Sequence, residues 1–333
     1  MTRFNGPILV TGANGFVGSH LVEALLGAGY QVRAMVRRTS DLSFIAHLPI
    51  EFAYADVRDE ASLPTACHGV AAVVHCGALT RARDESTFLT VNAGGALALA
   101  RVARQENPSL ARFLFVSSQA AAGPSAGPGD LVDEACEPHP VTWYGKSKWA
   151  AEQALYTFAR DESLPLTIVR PSAVFGPRDR DFLAQFRLVD RGFDLQIGHG
   201  PHQVSLIYVI DLVTLLVRAL EQPAAEGRTY FASSLWATHE ELSAAIAFAL
   251  GKQPLRVRLP GAALGILDLY ARLVTRFSGQ TPLLNDQRLI DLRQPHWLCS
   301  AERARHELGF EPAYRLDAAV QETAGWYRAQ GWL

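Results

Sequence analysis

The chain has 333 residues, 49% of them hydrophobic and 19% charged, which allows a large core in two subdomains or one big α/β unit. A formal net charge of -2 gives no electrostatic case for nucleic acid or a charged membrane surface as a partner. The four cysteines, Cys67, Cys76, Cys136 and Cys299, fit no metal-ligand spacing, so reduced, buried thiols in a cytoplasmic protein are expected, with no metal.

The first interpretable stretch is Ile8 to His20. Ile8 to Val10 reads as a buried strand, followed by Gly12, Gly15 and Gly18 and then a helical pattern with Leu21, Val22, Leu25 and Leu26 on one face. Strand, glycine turn and helix open a dinucleotide-binding fold. Gly12 permits the tight turn, Gly15 lets the backbone approach a pyrophosphate, and Gly18 lets the helix pack on the strand. The helix N-terminus offers free N–H groups to the phosphates. Tyr30 to Val36 reads as a second strand ending in Arg37-Arg38-Thr39-Ser40, with no carboxylate before Asp41. An acidic residue there suits the ribose of NAD and an arginine suits the extra phosphate of NADP, so Arg37 favours NADP over NAD. A pair of solvated loop arginines is the other reading.

Ile50 to Tyr54 is a third strand leading into Asp56-Val57, and Val70 to His75 a fourth followed by Cys76-Gly77-Ala78. Phe88 to Asn107 reads as one long helix, and Arg112 to Val116 is a fifth strand emptying into Ser117-Ser118-Gln119. This alternation predicts a parallel, doubly wound sheet with ligands at the C-terminal strand ends, where Asp56, Ala78 and Ser118 all fall. Arg81 and Arg83 read as a solvated loop rather than an anion clamp.

Gly123 to Pro140 is a Gly/Pro/acid-rich excursion near the expected site. Trp143 opens a helix carrying Tyr144 and Lys148, one turn apart on one face. Leu166 to Arg170 is a strand followed by Pro171. Beyond it the pattern predicts a helix over Phe182–Arg191, a strand over Val204–Val209, a helix over Ile210–Gln222 and a strand over Thr229–Ala232. Thr238 to Leu250 reads as a helix with Thr238 and Glu241 forming a capping box. Pro260 to Phe277 reads as a long apolar helix of the second subdomain, with a greasy substrate site or a membrane face as other uses. Ala301–Leu308 and Leu316–Ala329 close the chain as helices.

Ser118, Tyr144 and Lys148 suggest a chemistry together. A tyrosine hydroxyl has an ordinary pKa near 10; a lysine one turn away and a positively charged nicotinamide would stabilise its phenolate. Such a tyrosine can pass a proton to or from a substrate oxygen while hydride moves, with a serine hydroxyl holding the same oxygen.

The ordered set Thr11-Gly12-Ala13-Asn14-Gly15-Phe16-Val17-Gly18, Asp56-Val57, His75-Cys76-Gly77-Ala78, Val91-Asn92, Phe115-Val116-Ser117-Ser118, Tyr144-Gly145-Lys146-Ser147-Lys148 and Arg170-Pro171 resembles the extended branch of the short-chain dehydrogenase/reductase superfamily. The resemblance runs from about residue 8 to the C-terminus. It implies a Rossmann fold, a doubly wound parallel sheet over residues 1–174 plus about 206–233. A smaller, discontinuous C-terminal α/β substrate subdomain would comprise about 175–205 plus 234–333. It also implies that Tyr144 is the acid/base, Lys148 its pKa setter and a ribose ligand, and Ser118 the catalytic serine. Gly12, Asn14, Gly15, Phe16, Val17 and Gly18 would bind the nucleotide, with Asp56 and Val57 at the adenine. Ala78 and Asn92 would lie beside the ribose and nicotinamide, and Pro171 near the carboxamide. Members are often homodimers through a bundle that includes the Tyr/Lys helix.

Within the branch, nucleotide-sugar epimerases usually carry an arginine just before a strand like Ser205-Leu206-Ile207-Tyr208-Val209. Here Gln203-Val204 stands in that neighbourhood, Gln119 replaces part of the dehydratase set, and Ala122 the usual tyrosine. The expectation is therefore an NADP-preferring oxidoreductase acting between a secondary alcohol and a ketone on a mostly apolar molecule, as in the hydroxysteroid dehydrogenase and dihydroflavonol reductase groups. A nucleotide-sugar epimerase or dehydratase with a resident NAD is the alternative. A non-catalytic NADP-binding sensor is a third reading.

Overall fold

The computed structural model describes residues 4–197, 202–259 and 286–333. Seven strands form one wholly parallel sheet: β1 (Ile8–Thr11), β2 (Val32–Val36), β3 (Glu51–Tyr54), β4 (Ala72–His75), β5 (Arg112–Val116), β6 (Leu166–Pro171) and β10 (Thr229–Ala232). Their spatial order is β3-β2-β1-β4-β5-β6-β10. The order reverses between β1 and β4, so the crevice of a doubly wound sheet opens past Thr11 and His75, which are register partners. Such strands are covered on both faces and read as unbroken apolar runs; all four residues of β1 and of β4 are buried.

One face is covered by α1 (Phe16–Gly27) and α7 (Val209–Glu221), whose Leu21, Val22, Leu25, Leu212, Leu215, Leu216 and Leu220 pack on Ile8, Val10, Val74 and Leu114. The other is covered by α2 (Leu63–Cys67), α4 (Gly95–Glu106) and α5 (Trp143–Glu162), with Leu99, Ala103, Ala151 and Leu155 against Leu9, Val73, Phe113 and Ile168. Each fully buried leucine or valine contributes about 1.5–3 kcal/mol.

The helix expected over Phe88–Asn107 is divided. A single turn, α3 (Glu85–Phe88), passes into a π-helical turn over Leu89–Gly94 before α4 begins. The wider turn inserts an extra residue and changes where Asn92 points.

The second layer is a smaller sheet ordered β11-β9-β13, with β7 also on β9: β7 (Ala173–Phe175), β9 (Gln203–Tyr208), β11 (Leu235–Thr238) and β13 (His296–Trp297). A separate parallel pair joins β8 (Phe193–Ile197) to β12 (Leu255–Leu259). Helices α6 (Leu183–Asp190), α8 (His239–Leu250) and the C-terminal helix Leu316–Ala329 pack here. The expected capping box of α8 forms: the Thr238 side chain accepts from the Glu241 N–H, and the Glu241 carboxylate accepts from the Thr238 N–H.

The junction expected near residue 206 falls inside β9, which lies wholly in the smaller sheet. Ala304, Leu308 and Phe310, expected with the second subdomain, join the core around α7 and β10. Strands β7, β8, β11, β12 and β13 and the helix Asp286–Arg293 had no periodic signature and were not anticipated. The apolar helix expected over Pro260–Phe277 lies outside the described residues. All four cysteines are free, but only Cys67 and Cys299 are buried as expected; Cys76, after β4 at the crevice, is half-buried, and Cys136 is exposed on the surface loop before α5.

Candidate active site

The crevice is built where β1 and β4 end side by side. The Thr11 Oγ1 and His75 Nδ1 atoms are 2.6 Å apart, and the Gly77 N–H donates to the same Thr11 oxygen at 3.1 Å. The bond ties the glycine turn to the loop after β4. Gly12 has φ +64°, left-handed backbone that glycine adopts freely, and a Cβ there would lie 2.8 Å from the Gly77 Cα. A Cβ on Gly18 would run into the Gly12 carbonyl oxygen. Gly15 caps α1 in extended conformation with no side-chain acceptor on the first-turn amides of Phe16 and Val17. Bare backbone and unsatisfied N–H groups at a helix N-terminus are what a pyrophosphate requires, so this cradle fits a dinucleotide.

Around the cradle the other expected ligands fall into place unevenly. Asn14 donates to the Asp41 carbonyl and so holds the loop after β2. Arg37 is exposed at the end of β2 and adds to the positive field on Asp56; Arg38 lies 5.2 Å over the Tyr54 ring. The Asp56 carboxylate follows β3 and is clasped by Arg58, which lowers its pKa. Val57 packs against Gly95, where a Cβ would meet it at 2.9 Å. Ala78 is exposed after β4 and Pro171 buried at the end of β6, in register with Ala232. Asn92 is only 2% exposed and its amide is fully used: it accepts from the Leu79 N–H and donates to the Leu79 carbonyl and the Ser147 hydroxyl. It therefore clamps the loop carrying Ala78 to α5.

Thr142 caps α5 by accepting from the Gly145 N–H at 3.1 Å, setting Tyr144 in the first turn and Lys148 in the second. Gly145 has no room for a Cβ because the Ala120 carbonyl lies against it. This close approach brings Tyr144 near Ser118, which opposes the rise of the phenol's pKa. Ser118 Oγ also accepts from the Ala120 N–H, which leaves its own proton to donate. The Phe88 ring meets Tyr144 edge-on at 6.4 Å.

Lys148 is buried. Its ammonium donates to the Val116 carbonyl at 2.8 Å and lies 4.6 Å over the Phe115 ring. Burial lowers its pKa to about 8, with Cys76 and Glu152 pulling upward. Burial pushes the Tyr144 phenol up to about 12, Ser118 opposes the rise, and Asp291 adds to it. His75, stacked on Phe115, is lowered to about 3 by burial and then by Lys148, so it is neutral at physiological pH. Behind the site, Glu152 accepts two bonds from Arg170 and one from Ser117, all buried.

Arg81, at 2.7 Å from Asp181, is a half-exposed loop pair as expected. Sequence reasoning missed Phe88, Gln287 and Asp291. The Gln287 side chain accepts from the Trp143 N–H at 2.8 Å, and the charge of Asp291 reaches Tyr144; nothing in their spacing announced either. The loop 123–140 is stitched to the segment after β13 by a bridge between Val132 and Cys299, and to β10 of the main sheet by the Glu134 carboxylate, which accepts from the Phe231 N–H. Among the described residues no group of three or more His, Cys, Asp or Glu is placed to hold a metal, and no helix is long and apolar enough to cross a membrane.

Residues 8–232 match the model of the NAD dependent epimerase/dehydratase family. The chain is 32% identical over 345 residues to the ceramide reductase of Caulobacter vibrioides, covering 100% of this chain and 98% of that one. It is 29% identical over 330 residues to the UDP-glucose 4-epimerase of Vibrio cholerae, covering 95% and 94%. The crystal structure of gox2253 superposes with a TM-score of 0.83 at 27% identity, covering 99% of this chain and 100% of that one. Other relatives are named as a 3 beta-hydroxysteroid dehydrogenase/Delta 5-->4-isomerase of Mycobacterium tuberculosis, 26% identical over 98% of this chain and 92% of that one, and a dihydroflavonol 4-reductase of Zea mays, 30% identical over 77% and 78%. A parallel sheet reversing at the glycine turn, with a Ser–Tyr pair above it, agrees with this match over two thirds of the sequence: the chain is an enzyme of the NAD-dependent epimerase/dehydratase family, within the extended short-chain dehydrogenase/reductase superfamily.

Proposed function

We propose that the chain reduces a ketone to a secondary alcohol on a mostly apolar small molecule, with Tyr144 as the proton donor. The observation that carries this reading is the placement of Tyr144 in the first turn of α5, with the buried Lys148 one turn further on and Ser118 just past the end of β5. At neutral pH that phenol holds its proton. A protonated phenol can give its proton to a carbonyl oxygen as hydride arrives, which is the role this reading assigns to Tyr144. Ser118, its oxygen already fixed by the Ala120 N–H, donates to the same substrate oxygen and opposes the rise of the phenol pKa.

The bound nicotinamide dinucleotide supplies the hydride. Gly12, Asn14, Gly15, Phe16, Val17 and Gly18 would hold its phosphates, Asp56 and Val57 its adenine, and Lys148 its ribose. Ala78, Asn92 and Pro171 would border the nicotinamide, Asn92 by holding the loop over it. Arg37, exposed at the end of β2, would take a ribose phosphate, which supports NADP. The protein would work as a cytoplasmic homodimer through a bundle including α5.

The Caulobacter relative is named for a lipid, ceramide, and supports an apolar substrate. The Vibrio relative supports the epimerase alternative, but Gln203-Val204 replaces the arginine expected before that strand. Nucleotide released on denaturing the purified protein separates the two. Near-stoichiometric NAD would overturn the reductase reading; an empty protein stabilised far more by NADPH than by NADH supports it. Y144F tests the proton donor. It should lower kcat about 10²–10⁴-fold while leaving NADPH binding intact, and unchanged turnover would remove Tyr144 from the mechanism.

A further inference from the structure

Strand β13 pairs in parallel with β9, with His296 opposite Gln203, so these two side chains stand on one face of the smaller sheet. On β9, Val204, Leu206 and Tyr208 pack into the core of the second layer, whereas Ile207, on the alternate face, joins the core around α7 and the main sheet. Gln203 and His296 share the face of Ile207 and turn towards the main sheet. Two segments join them to Ser118 and Tyr144. The chain leaving Ser118 makes one turn, closed by the Gly123 N–H on the Gln119 carbonyl at 3.1 Å, and its Ser125 N–H then donates to the His296 carbonyl at 3.0 Å. On the other side, the helix Asp286–Arg293 runs up to β13, and its Gln287 Oε1 accepts from the N–H of Trp143, the neighbour of Tyr144, at 2.8 Å.

Each of the two side chains carries an unused polar atom. The Gln203 Oε1 and the His296 Nδ1 are buried, and neither has a hydrogen-bond partner among the described residues; His296 as a whole is 8% exposed. A buried polar atom without a partner costs stability, and folded proteins keep few of them. Two such atoms on register partners, on a face tied to the proton donors from both sides, are accounted for by a ligand group that completes their bonds. The glutamine oxygen only accepts, and the imidazole nitrogen donates in its Nδ1–H tautomer. A hydroxyl satisfies both: its proton goes to the Gln203 oxygen and its lone pair takes the His296 proton. A carboxylate or phosphate would set negative charge against the glutamine oxygen, and an apolar group would leave both atoms unpaired.

We propose that Gln203 and His296 form a substrate subsite that binds a hydroxyl carried by the apolar molecule at a carbon away from the reacting carbonyl. The proposal rests on the reductase reading for that carbonyl and narrows its substrate class to hydroxylated apolar ketones. A site built to bond a substrate hydroxyl discriminates against the analogue lacking it, because its own polar groups are then left unpaired.

The first test needs no turnover. Q203M and H296L remove the unused atoms at similar volume, so each should raise the Tm of the ligand-free full chain by about 1–3 °C. A fall in Tm in both variants would mean that the atoms are already bonded in the resting protein and overturns the proposal. The second test compares 2-decanone with its forms hydroxylated at carbon 4, 6, 8 or 10, with NADPH, following turnover by nucleotide absorbance and binding by thermal shift. The wild type should prefer at least one hydroxylated ketone by about tenfold or more in kcat/KM. In Q203M and H296L that ratio should fall to within about threefold of one, and in H296N, whose amide still donates, to an intermediate value. A wild-type ratio near one for every compound, or a loss shared equally by all of them, overturns the subsite and leaves the reductase reading standing. Preferential binding of a hydroxylated ketone that disappears in both variants, without turnover of any compound, upholds the subsite and refutes the reductase reading.

Discussion

Replacing Lys148 with Met should make the protein more stable and much less active. The ammonium is held where burial lowers its pKa from the ordinary 10.5 to about 8. Carrying its charge at pH 7 therefore costs about 3 kcal/mol. Methionine keeps the apolar stem and gives up the bond to the Val116 carbonyl, a loss of about 1 kcal/mol. The net gain is about 2 kcal/mol, or about 3 °C in Tm for a chain of this length. The sign of the pH dependence follows from the lowered pKa. The unfolded chain binds the lysine proton more tightly than the folded one, so the wild type gains stability as pH rises from about 8 to 10.5. Below about 8 the penalty is constant. The advantage of K148M should be full at pH 7 and shrink by about 1.4 kcal/mol per pH unit across that window. Urea denaturation of both proteins without added nucleotide measures it. A K148M protein less stable than the wild type at pH 7, or an advantage that does not change with pH, would refute the argument that burial sets this charge. On the proposed mechanism the same variant loses nucleotide affinity through the ribose, read as a weaker thermal shift with NADPH.

Two further substitutions probe the frame around the site. G18A puts a methyl group against the Gly12 carbonyl, and backbone cannot swing aside as a side chain can. It should destabilise by about 2–4 kcal/mol and abolish NADPH-induced stabilisation, and normal nucleotide binding would show that α1 can slide on β1. E152L leaves the Arg170 guanidinium, 5% exposed, without its bidentate partner, and should cost about 3–5 kcal/mol in denaturant. The double variant E152L/R170M should recover much of that loss. Additive losses would mean that the pair contributes no coupling.

How much of this was legible beforehand depended on how local the cause was. Gly12, Gly15 and Gly18 mark their turn because backbone conformation and close approach are constraints on single residues. The strands of the parallel sheet announce themselves because burial on both faces demands unbroken apolar runs such as Ala72–His75. The capping box at Thr238 and Glu241 is likewise contained in four residues. Tyr144 and Lys148 could be placed on one helical face from their spacing alone.

Other features depended on what the chain meets in space. The helical periodicity around Asn92 is continuous, yet a π turn redirects it, because its amide is captured by Leu79 and Ser147 from two other segments. The short strands β7, β11 and β13 have too few residues for a period, and they exist through pairing with β9. Spacing paired Lys148 with Tyr144, but it is the Val116 carbonyl and the Phe115 face that hold the ammonium, and burial raises the phenol's pKa. Gln287 lies 144 positions after Trp143, and the bond between them docks the helix Asp286–Arg293 on the start of α5. The residue types needed for nucleotide binding and proton transfer were therefore written locally in the sequence. Their burial, and the docking of the helix Asp286–Arg293 beside them, were decided by contacts between distant segments, which no local pattern encodes.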